Sequence, residues 1–164
     1  MEDYFALLGF DRTFNIDLPA LRQKYLQLSR LFHPDFHQDK SPEALKEIEE
    51  KSALFNKAWS CLKDDNSRLI HLIELHGIEW EKISLPPDFL MDMMELNEQI
   101  ESQGKTEALI AEIMLGKSAH LQNALNQGKR YDAVQELPEK TQALRHAAEA
   151  LLCLKYFDRL EKQN

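Results

Sequence analysis

The chain has 164 residues, 43% hydrophobic and 29% charged, with a formal net charge of −8. Those proportions describe a water-soluble globular chain of one ordinary domain or two small ones. No apolar run reaches membrane-spanning length, and an acidic chain lacks the basic patches that neutralise nucleic-acid phosphates. Both halves are acidic, with ten bases against thirteen acids in residues 1–76 and ten against fifteen in 77–164. Few Gly and Pro, few β-branched runs and many Leu, Glu and Lys favour an all-α protein. Cys61 and Cys153 are far apart, with no CxxC or Cys/His spacing suited to zinc, and read as reduced thiols. The chain opens at once on folded-looking sequence, so neither a signal nor a transit peptide is expected.

Asp3 can cap a short helix in which Tyr4, Phe5, Leu7 and Leu8 supply apolar surface and which Gly9 can end. A connector, 10–16, leads to a second helix. There Leu18, Leu21, Tyr25, Leu28 and Phe32 share one narrow sector at 100° per residue. Asp17 is its N-cap, Pro19 sits in the first turn, and Arg22, Gln23, Gln27 and Arg30 face water. Pro34 pushes His33 out of the α region, so the helix ends near Phe32 and runs into an exposed loop beginning His33-Pro34-Asp35. A polar loop, 36–40, follows. Ser41-Pro42 then reads as N-cap and first helical residue. The next helix runs to about Lys63, with Leu45, Ile48, Phe55, Trp59 and Leu62 on one face. A short loop makes the two helices an antiparallel hairpin with His33-Pro34-Asp35 at its tip.

Asp64-Asp65-Asn66 breaks the pattern and caps a helix from Ser67 to His76, with Leu69, Leu72, Ile73 and His76 near one side and Gly77 after it. Residues 79–84 form a connector, and Leu85-Pro86-Pro87-Asp88 is a rigid joint and domain boundary. Three helical stretches follow. The first spans Asp88 to Gln103. The second spans Thr106 to Gln127 and is expected to stop at Gly128; Gly116 inside it costs about 1 kcal/mol of helix stability. Its face includes Leu109, Ile113, Leu121 and Leu125. The third has an indistinct start: Tyr131, Val134 and Leu137 suggest a turn or more, Pro138 breaks or kinks it, and the pattern resumes from about Glu139 to Leu160 through Leu144, Ala148, Leu151 and Leu154.

The stretch FLMDMMELNEQI, 89–100, has two apolar sides. Phe89, Met93, Leu96 and Ile100 fall within about 60° on a helical wheel. Leu90, Met91 and Met94 lie nearly opposite, beside Glu95 and Glu98. One side suffices for a three-helix core. The other is either buried against further helices or an adaptable, acid-rimmed partner surface of the kind Met favours.

A cationic helix ending in His-Pro-Asp, about thirty residues after a DYFALLGF start and before a second long helix, resembles the J-domain of DnaJ-type co-chaperones. The order J-domain, SRLIHLIELHG, Pro-rich joint, FLMDMMELNEQIE and LKYFDRLE is similar, over nearly the whole chain, to the HscB family of iron–sulfur cluster co-chaperones. The resemblance implies an L-shaped all-α protein: a J-domain at 1–76, a linker at 77–87 and a C-terminal three-helix bundle at 88–164. It implies that His33, Pro34, Asp35, Arg22, Lys24 and Arg30 engage the DnaK-type ATPase HscA. It also implies that Leu90, Met91, Met94, Glu95, Glu98 and Tyr156 bind the cluster scaffold IscU, in a bacterial-type cytoplasm. Leu26 and Gln27 stand where general J-domains carry Lys-Arg, which fits a dedicated ATPase partner. A general co-chaperone passing varied clients to DnaK is the alternative.

An enzymatic reading would pair His33 with Asp35 as acid and base, or His33 with His37 as metal ligands. Two residues flanking a proline in an open loop lack the pocket that shifts pKa values and positions a substrate. His71 and His76, five apart on a helix, read as packing or surface residues. No catalytic residue, metal or cofactor is assigned.

Overall fold

In the computed structural model, which describes residues 1–162, seven α-helices and two 3-10 turns are joined by short connections, with no strand among the described residues. The expectation of an all-α chain holds. The helices are α1 (Tyr4–Leu8), α2 (Leu18–Leu31), α3 (Pro42–Lys63), α4 (Asp65–Leu75), α5 (Pro87–Gln103), α6 (Glu107–Ala133) and α7 (Leu137–Lys162). They form two units, Met1–Leu75 and a second beginning at His76.

Local chemistry sets the boundaries of the first unit. The Asp3 carboxylate accepts the amides of Phe5 and Ala6, and Gly9 closes α1 at a left-handed φ of 76°. Asp17 accepts the Ala20 amide and Ser41 the Ala44 amide, each followed within two residues by a proline that has no N–H to leave unpaired. Asp64 Oδ2 accepts both the amide and the hydroxyl of Ser67 at 2.8 Å, so α4 starts at Asp65, two residues earlier than the pattern indicated.

α2 and α3 are antiparallel. Tyr25 stacks on Trp59 at 5.0 Å and donates its hydroxyl to Asn56 at 2.9 Å, while Phe32 meets Phe55 nearer the tip. Phe5, Leu8, Leu21, Leu62, Leu69, Leu72 and Ile73 are fully buried between these helices and α1 and α4. Leu18 is the exception on the apolar face of α2, at 42% exposure, because it sits in the first turn.

Two polar side chains are built into this core. Arg68, 3% exposed, donates to the carbonyls of Phe14 at 2.8 Å and Leu62 at 2.6 Å and pairs with Asp65. It ties the 10–16 connector to the end of α3. Arg68→Met would leave two carbonyls short of a donor, and each buried unsatisfied group costs about 1–3 kcal/mol. Thermal unfolding by circular dichroism is expected to show a loss of about 2–4 kcal/mol; an unchanged melting curve would show that water replaces the guanidinium.

His71, 4% exposed, accepts the Tyr4 amide at its Nε2 and stacks on Tyr4 and Phe5. Burial lowers its pKa from the ordinary 6.5, against the opposing pull of Asp3 and Glu74. A histidine depressed in the fold binds its proton more readily when unfolded, so its contribution to stability is complete above about pH 6.5 and declines below it. The melting temperature of the wild type is expected to fall faster than that of His71→Phe as pH drops from 7 to 5. Parallel curves for the two proteins would remove this role.

In the second unit, Met93, Leu96 and Ile100 of α5 meet Leu109 and Ile113 of α6 and Phe157 and Leu160 of α7, with Phe89 and Tyr156 packed at the edge. Further along, α6 and α7 bury Ala124 and Gly128 on one helix and Ala143, Ala147 and Ala150 on the other. Small side chains there permit close backbone approach. The same constraint explains Gly116: a Cβ would come within 2.3 Å of the Phe157 ring, which Phe89 and His120 hold in place. Gly116→Ala would gain about 1 kcal/mol of helix propensity and lose more to overpacking, about 1–3 kcal/mol. A lowered melting temperature is expected, and a raised one would show that the ring moves aside.

Three further boundaries differ from the sequence pattern. α6 does not stop at Gly128 but continues to Ala133, because Gly128 is buried with ordinary helical geometry and Tyr131 beyond it is anchored. Tyr131 is 3% exposed, edge-on to His76, with the Lys140 ammonium 4.9 Å from its ring centroid. Pro138 does not interrupt α7 but lies in its first turn, where no amide is needed. Residues 77–87, expected as a linker, are packed in the second unit. There Trp80 and Leu85 are buried, and Lys155 of α7 covers the Trp80 ring while pairing with Glu81.

Candidate functional site

Two separate surfaces carry chemistry that packing does not use. The first is the tip of the α2–α3 hairpin. Phe32 ends α2, and Pro34–Phe36 form a 3-10 turn for which His33 is the cap. His33 Nδ1 accepts the Asp35 amide at 3.3 Å and lies 3.7 Å from the Asp35 carboxylate. The His33 side chain is 48% exposed and that of Asp35 74%. The triplet is a pre-shaped, open turn. His37 does not join His33; its ring bonds to the Leu31 carbonyl at 2.7 Å.

Two residues beside the triplet escaped the sequence reading. Leu31 is 61% exposed and Phe36 70%, with Phe36 tilted against the His33 ring at 5.6 Å. They give the turn apolar flanks. Phe36 lies in the loop that the sequence pattern gives as polar, and only its exposure in the fold distinguishes it. Arg22, Lys24 and Arg30 are all exposed, but they do not form one cluster. Arg22 and Lys24 project about 160° apart at 100° per residue. Arg22 borders a shallow hollow of about 750 Å³ with Leu18, Leu26, Trp59 and Lys63.

The second surface lies along α5 and α7. Phe89, Met93, Leu96 and Ile100 do face the core, Phe89 half-buried at its edge. Met91 and Met94 face solvent at 60% and 64% exposure, and Leu90 is half-buried. A cleft of about 570 Å³ brings Leu90, Met94, Glu98 and Tyr156 together, whereas Met91 and Glu95 are exposed outside its lining. Asn97, Glu101 and Arg159, which the sequence reading had not named, also border it. Asn97 donates to Glu101 at 2.8 Å, and the Arg159 guanidinium lies 5.4 Å from the Tyr156 ring centroid. The spacing could have found them, since Glu101 follows Glu98 and Arg159 follows Tyr156 by three residues on their helices. Glu98 and Glu101 face Arg159 across the cleft and Glu95 is exposed outside it, so this surface suits an apolar partner segment with basic neighbours.

Neither surface provides a metal site: no group of three or more His, Cys, Asp or Glu side chains suited to a metal ion occurs among the described residues. Both thiols are free. Burial pushes Cys61 and Cys153 up to about 11, so neither is an activated nucleophile. No helix of the described residues is long and apolar enough to cross a membrane.

An exposed His-Pro-Asp turn on a helical hairpin, followed by a three-helix unit with an acid-rimmed apolar cleft, defines a J-type co-chaperone class of protein. Comparison with known proteins agrees. Residues 85–163 match the family model described as the HSCB C-terminal oligomerisation domain. The human iron-sulfur cluster co-chaperone protein HscB is 30% identical over 98% of this chain and 66% of its own length. Co-chaperone protein HscB of Buchnera aphidicola is 38% identical over 61% of this chain and 59% of its own. The crystal structure of human HscB superposes with a TM-score of 0.72 at 30% identity, covering 99% of this chain and 80% of that one. The solved structure of the chaperone HscB from Vibrio cholerae gives 0.66 at 25% identity, covering 98% of this chain and 96% of that one. The chain belongs to the HscB co-chaperone family. It spans somewhat less than two thirds of the length of the curated relatives named here.

Proposed function

We propose that this protein is a J-type co-chaperone of iron–sulfur cluster assembly that stimulates the ATPase of a specialised DnaK-type chaperone, HscA, and delivers the scaffold protein IscU to it. The observation that carries this reading is the presence, in two separate units, of an exposed His33-Pro34-Asp35 turn and an apolar, acid-rimmed cleft. In this reading residues 1–76 act as the J-domain and 88–164 as the scaffold-binding domain, with 77–87 joining them, in a bacterial-type cytoplasm. Arg22, Lys24 and Arg30 supply the positive charge that steers docking to the ATPase. Leu90, Met91, Met94, Glu95, Glu98 and Tyr156 hold the scaffold. The protein itself performs no catalysis; the cluster is cargo carried by the scaffold.

The test is the steady-state ATPase of the chaperone with this protein alone, with scaffold alone and with both. Stimulation by this protein, increased further by scaffold, is expected, together with recovery of one dominant scaffold in a pull-down. A broad set of unfolded clients and no scaffold would instead favour the general DnaK co-chaperone.

A further inference from the structure

Two of the three apolar residues on the outer side of α5 are methionines. Met91 and Met94, 60% and 64% exposed, stand one helical turn apart beside half-buried Leu90, and Met94 lines the α5–α7 cleft. Packing gives no reason for sulfur there, since the core uses the opposite side of the helix. Leucine would supply similar apolar area, as Leu90 does. What methionine adds is a thioether that a peroxide attacks.

Other sulfurs in the chain are shielded or lie elsewhere. Cys61 is partly buried and Cys153 buried, and burial pushes both thiols up to about 11, so little of the reactive thiolate exists at neutral pH. Met93, on the inner side of the same helix, is 7% exposed and held in the core. Met1 and Met114 are exposed but do not line the cleft.

We infer that Met94, with Met91 beside it, is an oxidative modification site that controls occupancy of the cleft, with a peroxide as co-substrate. This inference rests on the scaffold-binding reading and concerns the regulation of that site. The thioether sulfur attacks one peroxide oxygen. The S–O bond forms as the O–O bond breaks, the proton on the transferred oxygen passes to the departing one, and water leaves. Methionine and hydrogen peroxide thus give methionine sulfoxide and water, with sulfur oxidised by two electrons and the peroxide reduced. The product side chain is polar and carries a strong acceptor. In the free protein its oxygen faces water, so the fold is undisturbed. Against an apolar partner segment the oxygen is desolvated without a donor, and the contact weakens. Sulfoxide reductases reverse the change.

The experiment treats the full chain with hydrogen peroxide, removes the excess with catalase, locates the added oxygens by peptide mass spectrometry and then titrates scaffold calorimetrically. Met91 and Met94 are expected to gain an oxygen each while Met93 stays unmodified, with circular dichroism and melting temperature unchanged. Scaffold affinity is expected to fall at least about tenfold, the order of loss from an unpaired polar oxygen at a buried contact. It should return after treatment with methionine sulfoxide reductases and a thiol. Scaffold bound beforehand should slow oxidation of Met94 and not that of Met114. In Met91→Leu with Met94→Leu the affinity, whatever its starting value, should be the same before and after peroxide, whereas Met114→Leu should lose affinity as the wild type does. Oxidised wild type that binds as tightly as the reduced protein, or a loss that the reductases do not reverse, would overturn this inference and leave the scaffold-binding reading intact. Reduced wild type that binds no scaffold would overturn both.

Discussion

His33→Gln is expected to abolish stimulation of the partner ATPase while leaving the fold as stable as the wild type. The imidazole is half-exposed, and its bond within the fold is Nδ1 accepting the Asp35 amide in the same turn. Pro34 and the 3-10 hydrogen bonds from Phe36 to His33 and from His37 to Pro34 keep the turn's shape without the ring. Surface changes of this kind alter stability by about 0.5 kcal/mol or less. Function should respond far more, because in the proposed function the turn acts only through its contacts with the ATPase. Stimulation should fall at least tenfold, about 1.4 kcal/mol, with scaffold affinity unchanged because the proposed scaffold surface is on the other unit. ATPase assays alongside thermal melts check this. A variant that stimulates normally would move the trigger elsewhere, first to the exposed Leu31 and Phe36 beside it.

Changing Leu90, Met91 and Met94 together to Ala should give the opposite separation. Met93, Leu96 and Ile100 form the buried side of α5, and the three altered residues lie outside that core cluster. The free protein should lose no more than about 1–1.5 kcal/mol, chiefly from half-buried Leu90. Scaffold affinity should fall about 100- to 1000-fold, or roughly 3–4 kcal/mol, the size typical of losing the centre of an interface. ATPase stimulation in the absence of scaffold should persist. Isothermal titration with scaffold and chemical denaturation of the free variant read the two effects separately. Truncation of the inner face serves as the contrast, since Leu96→Ala alone should cost about 2–5 kcal/mol. If the triple variant binds scaffold normally, the acid-rimmed cleft has another occupant.

Much of the molecule is legible in its sequence because the relevant physics is local. Caps at Asp3, Asp17 and Ser41, prolines at 19 and 42, and Gly9 act within one turn of chain, and each set a helix end that the structure shows. The same holds for the open His-Pro-Asp turn, since Pro34 constrains its neighbour whatever the rest of the chain does. The two-sidedness of 89–100 also followed from helical periodicity.

The features that sequence could not supply depend on groups distant along the chain. A glycine at 128 reads as a stop, yet burial and the anchoring of Tyr131 carry α6 past it. Pro138 reads as a break until α7 is seen to start one residue earlier. Nothing in the sequence pattern singles out Arg68; only the meeting of the 10–16 connector with the end of α3 makes it a buried donor. Arg22, Lys24 and Arg30 look like a set, but the helix spreads them around its circumference. The cleft is the clearest case: α5 supplies six of its lining residues and α7 three, and only their packing together reveals that Glu101 and Arg159 share its rim. Local sequence determined which backbone segments are helical and what each presents, whereas the packing of α5 against α7 decided which side chains work together.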